Sequence, residues 1–305
     1  MDTPRITELK QKYGVAIIEN GLRHRPDTFI GEVDWRDKID PHYTRLWLEF
    51  TYGGLFTRKR LDERTRFLVS LTQFLCLAEY EEFEHEVHSA LKAGAKPREV
   101  LEVVLQSTVY IGYLRASRGA KLCLKVFESL GRMDEITNAQ LPLAGRTPER
   151  SLDQEKAQWP AAPSEDDAKL RDYFMAKYGW ESMSSRIRLQ SHQPFGSMNS
   201  YDRVDPHYLR LWLDFIYGGM YPRGIVDDRT RLLVMVGICL ALNEPVQLAN
   251  HIRGAMLLGA KASEVLEVVV HSTAYCGMPT TVLVGQQVEK IARELGREAE
   301  LLQHA

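Results

Sequence analysis

Cysteine is scarce in this chain and badly placed for chemistry. Four are present among 305 residues, Cys76, Cys123, Cys239 and Cys276, with no C-x-x-C and no zinc-ligand spacing. They read as reduced, mostly buried thiols of a cytoplasmic protein. An excess of one charge is lacking too. Lysine and arginine total 39 against 41 acidic residues, a formal charge of −2. That balance argues against the broad basic face that nucleic acid or an anionic membrane requires. The longest apolar run, residues 232–242, is too short to span a bilayer and contains Gly237. The opening MDTPRITELKQKYG has no apolar core of a signal peptide. Strand-like alternation does not compete with the helical period. The expectation is a soluble, cytoplasmic, all-α protein with enough apolar content for a sizeable core.

What the sequence does contain is one unit, twice. A shift of 165 positions aligns the halves without a gap. DPHYTRLWLEFTYGG (40–54) meets DPHYLRLWLDFIYGG (205–219), and GAKPREVLEVVLQSTVYIG meets GAKASEVLEVVVHSTAYCG. About half of the positions between 40 and 113 are identical to their partners. The period exceeds any solenoid repeat, so the unit is a whole small domain. The expected organisation is residues 1–132 as a divergent copy, 133–165 as a surface linker rich in Pro, Ala and charge, and 166–305 as the second copy. Two copies in one chain most simply form a pseudo-twofold pair, the covalent version of a symmetric dimer.

Each copy reads as helices. In the second, 205–217 carries a broad apolar face and stops at Gly218-Gly219. A helix over 227–242 has acids in its first turn, and Glu244-Pro245 starts the next, which ends at Gly259. Ser263 is expected to cap a fourth. Gly277 and Pro279 interrupt it before a last helix over 280–295.

The copies differ in their polar residues. His251 stands where the first copy has Glu86, His271 where it has Gln106, and Arg253 where it has His88. Glu267, His271 and Tyr275 are four apart on one helix face, so the carboxylate can orient the imidazole, or the pair can be a plain surface one. Glu244 is either a helix cap or an acid/base group near His251. Arg223, Arg229 and Arg231 repeat Arg58, Arg64 and Arg66. Arg229 reads as a structural salt bridge, while Arg223 stays open as a grip on a substrate carboxylate. His42 and His207 follow Asp-Pro as helix-start residues. His85 and His88 flank Glu86 in E-H-E-V-H, which is one residue short of H-E-x-x-H and makes a poor metal site.

Taken together, DPHYLRLWLDFIYGG, the DDRTR segment, NHIRGAMLLGA and EVLEVVVHSTAYCGMP resemble the carboxymuconolactone decarboxylase family, part of the AhpD-like superfamily. The resemblance runs from residue 205 to the last helix, and more weakly over 40–132. It implies two tandem AhpD-like helical domains. Alkylhydroperoxidases of that superfamily carry C-x-x-C before the motif histidine. Here those positions are Glu244 and Gln247, and Glu79 and Glu82 in the first copy. A disulfide relay is therefore not expected.

The resemblance also implies chemistry without cofactor or metal. Decarboxylation leaves electrons that must enter an unsaturated carbonyl, and the dienolate must then be protonated. His251, at the family's motif position, is the expected proton carrier, with His271 and Glu267 as a second catalytic pair. Arg223, Arg253, Tyr275 and Glu244 are the expected substrate-binding residues. The substrate is a small carboxylic acid or lactone. The alternatives are an isomerase, dehydratase or ring-opening enzyme of secondary metabolism, or a ligand-binding pseudoenzyme. A trimer of tandem chains is expected, with sites near the interfaces between copies.

Overall fold

The computed structural model describes residues 2–137, 151–157, 159, 161–162, 164–190 and 195–302, and among these the regular structure is helical with no strand. In the first half the helices are α1 (Pro4–Tyr13), α2 (Val15–His24), α3 (Phe29–Ile39), α4 (Pro41–Thr51), α5 (Glu63–Leu77), α6 (Tyr80–Lys92), α7 (Pro97–Gln106) and α8 (Thr108–Ser129). Of the expected linker, 138–150 lies outside the described residues, while short α9 (Asp134–Thr137) and α10 (Leu152–Lys156) flank it. The second half repeats the order. It has α11 (Glu165–Tyr178), α12 (Trp180–Leu189), α13 (Gly196–Val204), α14 (Pro206–Leu213), α15 (Asp228–Leu242), α16 (Pro245–Leu257), α17 (Ala262–His271), α18 (Thr273–Cys276) and α19 (Met278–Glu294). No described helix is long and apolar enough to cross a membrane.

Local sequence explains the helix ends. Asp40 accepts from the His42 and Tyr43 amides at 2.8 and 3.1 Å, and Asp205 from the Tyr208 amide at 2.9 Å, each with proline at the first turn. Asp62 and Asp227 cap α5 and α15 in the same way. Two expected ends differ. The cap of α17 is Lys261, whose amide donates to Glu264 at 2.7 Å, and Ser263 lies inside the helix. The chain also does not stop at Gly218-Gly219. It widens into a π-helical turn, Asp214–Met220, that carries both glycines. A wide turn of this kind re-aims the residues in and after it, and here it carries Tyr217 and leads into Tyr221.

The halves share one core. α5 and α15 are the equivalent helices of the two copies and pack directly on each other. Both are buried at nearly every position, α15 almost wholly by apolar side chains and α5 with Ser70, Thr72 and Gln73 among them. Their close approach depends on Gly237, where a Cβ would come within 2.6 Å of Val69 Cγ1. The equivalent residue of α5 is Thr72. Gly237→Thr is therefore expected to cost about 1–3 kcal/mol of stability, measured by denaturant unfolding, because it overpacks this crossing.

Candidate functional site

The α5–α15 crossing sets α17 of the second copy against the first copy, and α7 of the first copy against the second. Polar residues meet at two reciprocal junctions. Neither junction belongs to one copy, and His251 and His271 lie in different ones.

At the first junction Tyr110, just after α7, reaches α16 of the second copy, and its hydroxyl is hydrogen-bonded to His251 Nε2. The rings meet edge to face, 5.9 Å between centroids. His251 is fully buried, but Tyr110 is partly exposed and lines a cavity of about 420 Å³. Gln190, Trp212, Tyr217, Tyr221, Glu244 and Gln247 also line it. Tyr217 donates to Gln190 Oε1 at 2.9 Å. Burial pushes the phenols of Tyr110 and Tyr221 well above their usual range, so both stay protonated.

Below the cavity lies an ionic frame. Arg231 Nη2 meets Glu102 Oε1 at 3.0 Å, and its Nη1 donates to Gln106 Oε1 at 2.6 Å. Arg223 Nε lies 3.2 Å from Glu102 Oε2. Arg223, expected to grip substrate, is thus engaged by a carboxylate of the other copy.

The second junction repeats the frame with other contents. Arg58 donates through Nε to both oxygens of Glu267, at 3.0 and 2.9 Å. Arg66 is 3.7 Å from the same carboxylate and turns to the carbonyl oxygens of Leu55 and Arg58. The expected hold of Glu267 on His271 is not formed. A full charge on Arg58 outcompetes a neutral imidazole for the carboxylate. His271 is fully buried, its ring edge-on to Phe56 at 5.1 Å and Tyr275 at 5.4 Å. Neither ring nitrogen meets a hydrogen-bond partner among the described residues. Burial, with the charge of Arg66 and the nearby His24, holds His271 well below its ordinary range, so it is neutral. In the place of His251 is Glu86, buried, accepting from the Ser70 hydroxyl.

Two other expected residues fall elsewhere. Arg253 is paired with Glu294 on α19, away from both junctions, because its helix position faces outward. Glu244 sits at the start of α16 but makes no side-chain cap; it is exposed at the cavity rim. Arg229 is ion-paired, with Glu264 on α17 rather than with the neighbouring Asp227 or Asp228 that the sequence suggests, and Arg64 pairs likewise with Glu99. Tyr110, Gln190, Tyr217, Tyr221, Arg25 and Arg58 were not singled out from the sequence as parts of a junction. Their signal was the reciprocity of the repeat, which pairs Glu102 of one copy with Arg223 of the other.

The thiols are held protonated. Burial pushes Cys76 and Cys276 up to about 12, and Cys123 and Cys239 are raised as well, so thiolate is scarce at neutral pH.

Comparison with known proteins agrees with the repeat. A family model described as "Carboxymuconolactone decarboxylase family" matches residues 41–123 and again 206–284, more than half of the chain. A 4-carboxymuconolactone decarboxylase of Acinetobacter baylyi is 28% identical over 82 residues, 27% of this chain and 61% of that protein. A nitrosuccinic acid decarboxylase, npaB, of Metarhizium robertsii is 29% identical over 72 residues, 24% of this chain and 50% of that protein. The chain thus spans between half and about three fifths of the length of these curated relatives. With both halves matched by the same model, the chain belongs to the carboxymuconolactone decarboxylase family as a tandem duplication of its helical domain.

Proposed function

We propose that this protein is a cofactor-independent decarboxylase of a small lactone or unsaturated carboxylic acid, acting in the cavity at the Tyr110–His251 junction. The observation that carries this reading is the hydrogen bond between a cavity-lining phenol and a buried histidine. Both similar proteins named above are decarboxylases, which supports the reaction class. The step has a simple balance. The bond to the carboxylate breaks, CO2 leaves, and the electron pair enters the conjugated carbonyl. Tyr110 gives its proton to the resulting carbon. A phenolate there is costly, because burial raises the phenol. His251 Nε2 therefore hands a proton back to the Tyr110 oxygen, and the proton consumed is drawn in the end from solvent.

The cavity wall supports a small acid held by amides and phenols. Gln190, Gln247, Tyr217 and Tyr221 supply hydrogen bonds, while Arg223 and Arg231 act one layer behind through Glu102 and Gln106. The test is CO2 release and product mass with a carboxymuconolactone-type substrate, comparing wild type with His251→Ala. Release by the wild type that disappears in a folded variant is expected. Product of unchanged mass would move the assignment to an isomerase, and no turnover would favour a binding role.

The same reading includes a cytoplasmic, homo-oligomeric protein. Tyr43, Leu46 and Phe50 form an exposed apolar stripe, and Tyr208, Leu211 and Phe215 repeat it 165 positions on. One chain offers two equivalent stripes, so stripe-to-stripe pairing between chains can close a ring, and a trimer is the expected one. Light scattering is expected to show the trimer for wild type and a single chain of 34.9 kDa for the double variant Leu46→Asp, Leu211→Asp. A wild-type mass of one chain would contradict it.

A further inference from the structure

A junction kept only for packing has no use for buried ionisable groups, since each costs desolvation. The His271 junction has more ionisable groups than its counterpart, with Glu86 and His271 buried and Arg25 and Glu82 partly so. Arg25 stands where the other has Gln190, Glu82 where it has Gln247, and His271 where it has Gln106. Glu86 replaces His251. Both junctions keep a buried glutamate held by arginines of the other copy, Glu267 chiefly by Arg58 and Glu102 by Arg223 and Arg231, so the change of residue type lies in the groups around that frame.

Those groups form one cluster. The Arg25 guanidinium lies 5.8 Å from the Phe74 ring centre, and Phe74 packs edge-on against Tyr275 at 4.7 Å. Tyr275 in turn contacts His271. Arg25 Nη1 is held by Glu82, and among the described residues no other side chain is bonded to its remaining N–H groups. A small cavity of about 40 Å³, lined by His24, His85, His88 and Ser89 among others, reaches the cluster at Arg25. Its His24 is 4.5 Å from Phe56, the ring that also covers His271. A buried imidazole with both nitrogens free of protein partners touches Tyr275, and the Tyr275 phenol lies in electrostatic reach of both Arg25 and the buried Glu86 carboxyl, a set of groups that a ligand can satisfy.

We propose that this junction is a second reaction centre, which takes a small carboxylate that also bears a ketone or ester carbonyl and moves a proton at the carbon beside that carbonyl. Arg25 holds the carboxylate. The His271 N–H holds the carbonyl oxygen, as a neutral imidazole can. Glu86 takes the proton from carbon, the C–H electron pair forms the enolate, and the Glu86 carboxylic acid returns the proton to the same or the conjugated carbon. No oxidant, reductant or co-reactant is consumed.

The electrostatics fit that task. Burial pushes Glu86 up to about 7, against the pull of Arg25 and the Ser70 hydroxyl and with Glu82 adding to the rise. Arg66, Tyr52 and Tyr275 also face this cluster, and burial keeps both phenols protonated. A carboxyl poised near neutrality both accepts and donates a proton.

The inference takes only the scaffold from the family reading, and its readout involves no CO2. Failure of either proposal therefore leaves the other's test intact. The experiment incubates the full chain with 4-oxopentanoate in D2O and follows loss of the C–H signals beside the ketone by proton NMR. Exchange above the protein-free rate is expected, slowed about a hundredfold or more in Glu86→Gln. Arg25→Gln, which imports the residue of the other junction, is expected to raise the half-saturating concentration more than it lowers the saturated rate. Wild-type exchange no faster than protein-free buffer would overturn the proposal. So would exchange in folded Glu86→Gln at the wild-type rate, or an Arg25→Gln profile identical to wild type.

Discussion

Glu102→Gln destabilises the protein by about 3–5 kcal/mol, while Glu267→Gln costs about 1–2 kcal/mol. The two positions are equivalent in the repeat, so sequence alone gives no reason for a difference. The partners supply one. Glu102 is the counter-ion of Arg231, which is 0% exposed, and of Arg223, which is 20% exposed. Neutralising it leaves a guanidinium buried without a charge partner, the costly half of breaking an enclosed pair. Glu267 is held chiefly by Arg58, which is 36% exposed and regains water when the carboxylate is lost. Arg66 already bonds to two backbone carbonyls and depends less on Glu267. Urea unfolding of the two variants checks the order. The double variant Glu102→Gln, Arg231→Met should recover part of the loss, because it removes the stranded charge.

His251→Ala lowers turnover of the decarboxylation substrate by about 10²–10⁴-fold, the usual worth of a positioned proton-transfer group. Tyr110→Phe should do the same, although it lies in the other half of the chain. The phenylalanine keeps the ring against His251 and removes only the hydroxyl through which the proton passes. The effect should fall on kcat more than on KM, since the lost interaction serves the transition state. Product-release assays over a substrate range, with circular dichroism to verify folding, separate this from a packing defect. A Tyr110→Phe variant with normal kcat would remove the phenol from the proton path.

Much of this was legible in the chain itself. Apolar period and the Asp-Pro and Gly punctuation placed the helices from residue 205 onward, because caps and periodicity are local properties. The repeat announced two equivalent units, and the pairing of Arg229 with Glu264 fits a structural role. The assembly of the site was not legible. An alignment says which residues correspond, not which copy's face meets which. Glu267 and His271 are correctly spaced to touch, yet Arg58, more than 200 residues away, takes the carboxylate. Arg223 looked free for substrate because its partner Glu102 lies in the other half. Arg253 looked special because it is unique to the second copy, but uniqueness carries no direction, and its helix turns it toward Glu294. Partners so far apart in sequence are fixed by the α5–α15 crossing, which is a property of the folded pair.

The central claim is that the decarboxylation site is built across the copies, with His251 of one and Tyr110 of the other working as a unit. A double-mutant cycle in kcat/KM tests it most directly, with His251→Ala, Tyr110→Phe and the double variant assayed on the same substrate. The account predicts that the double variant is no slower than the slower single variant, because either change breaks the same relay. Losses that multiply would show two independent contributions and contradict it.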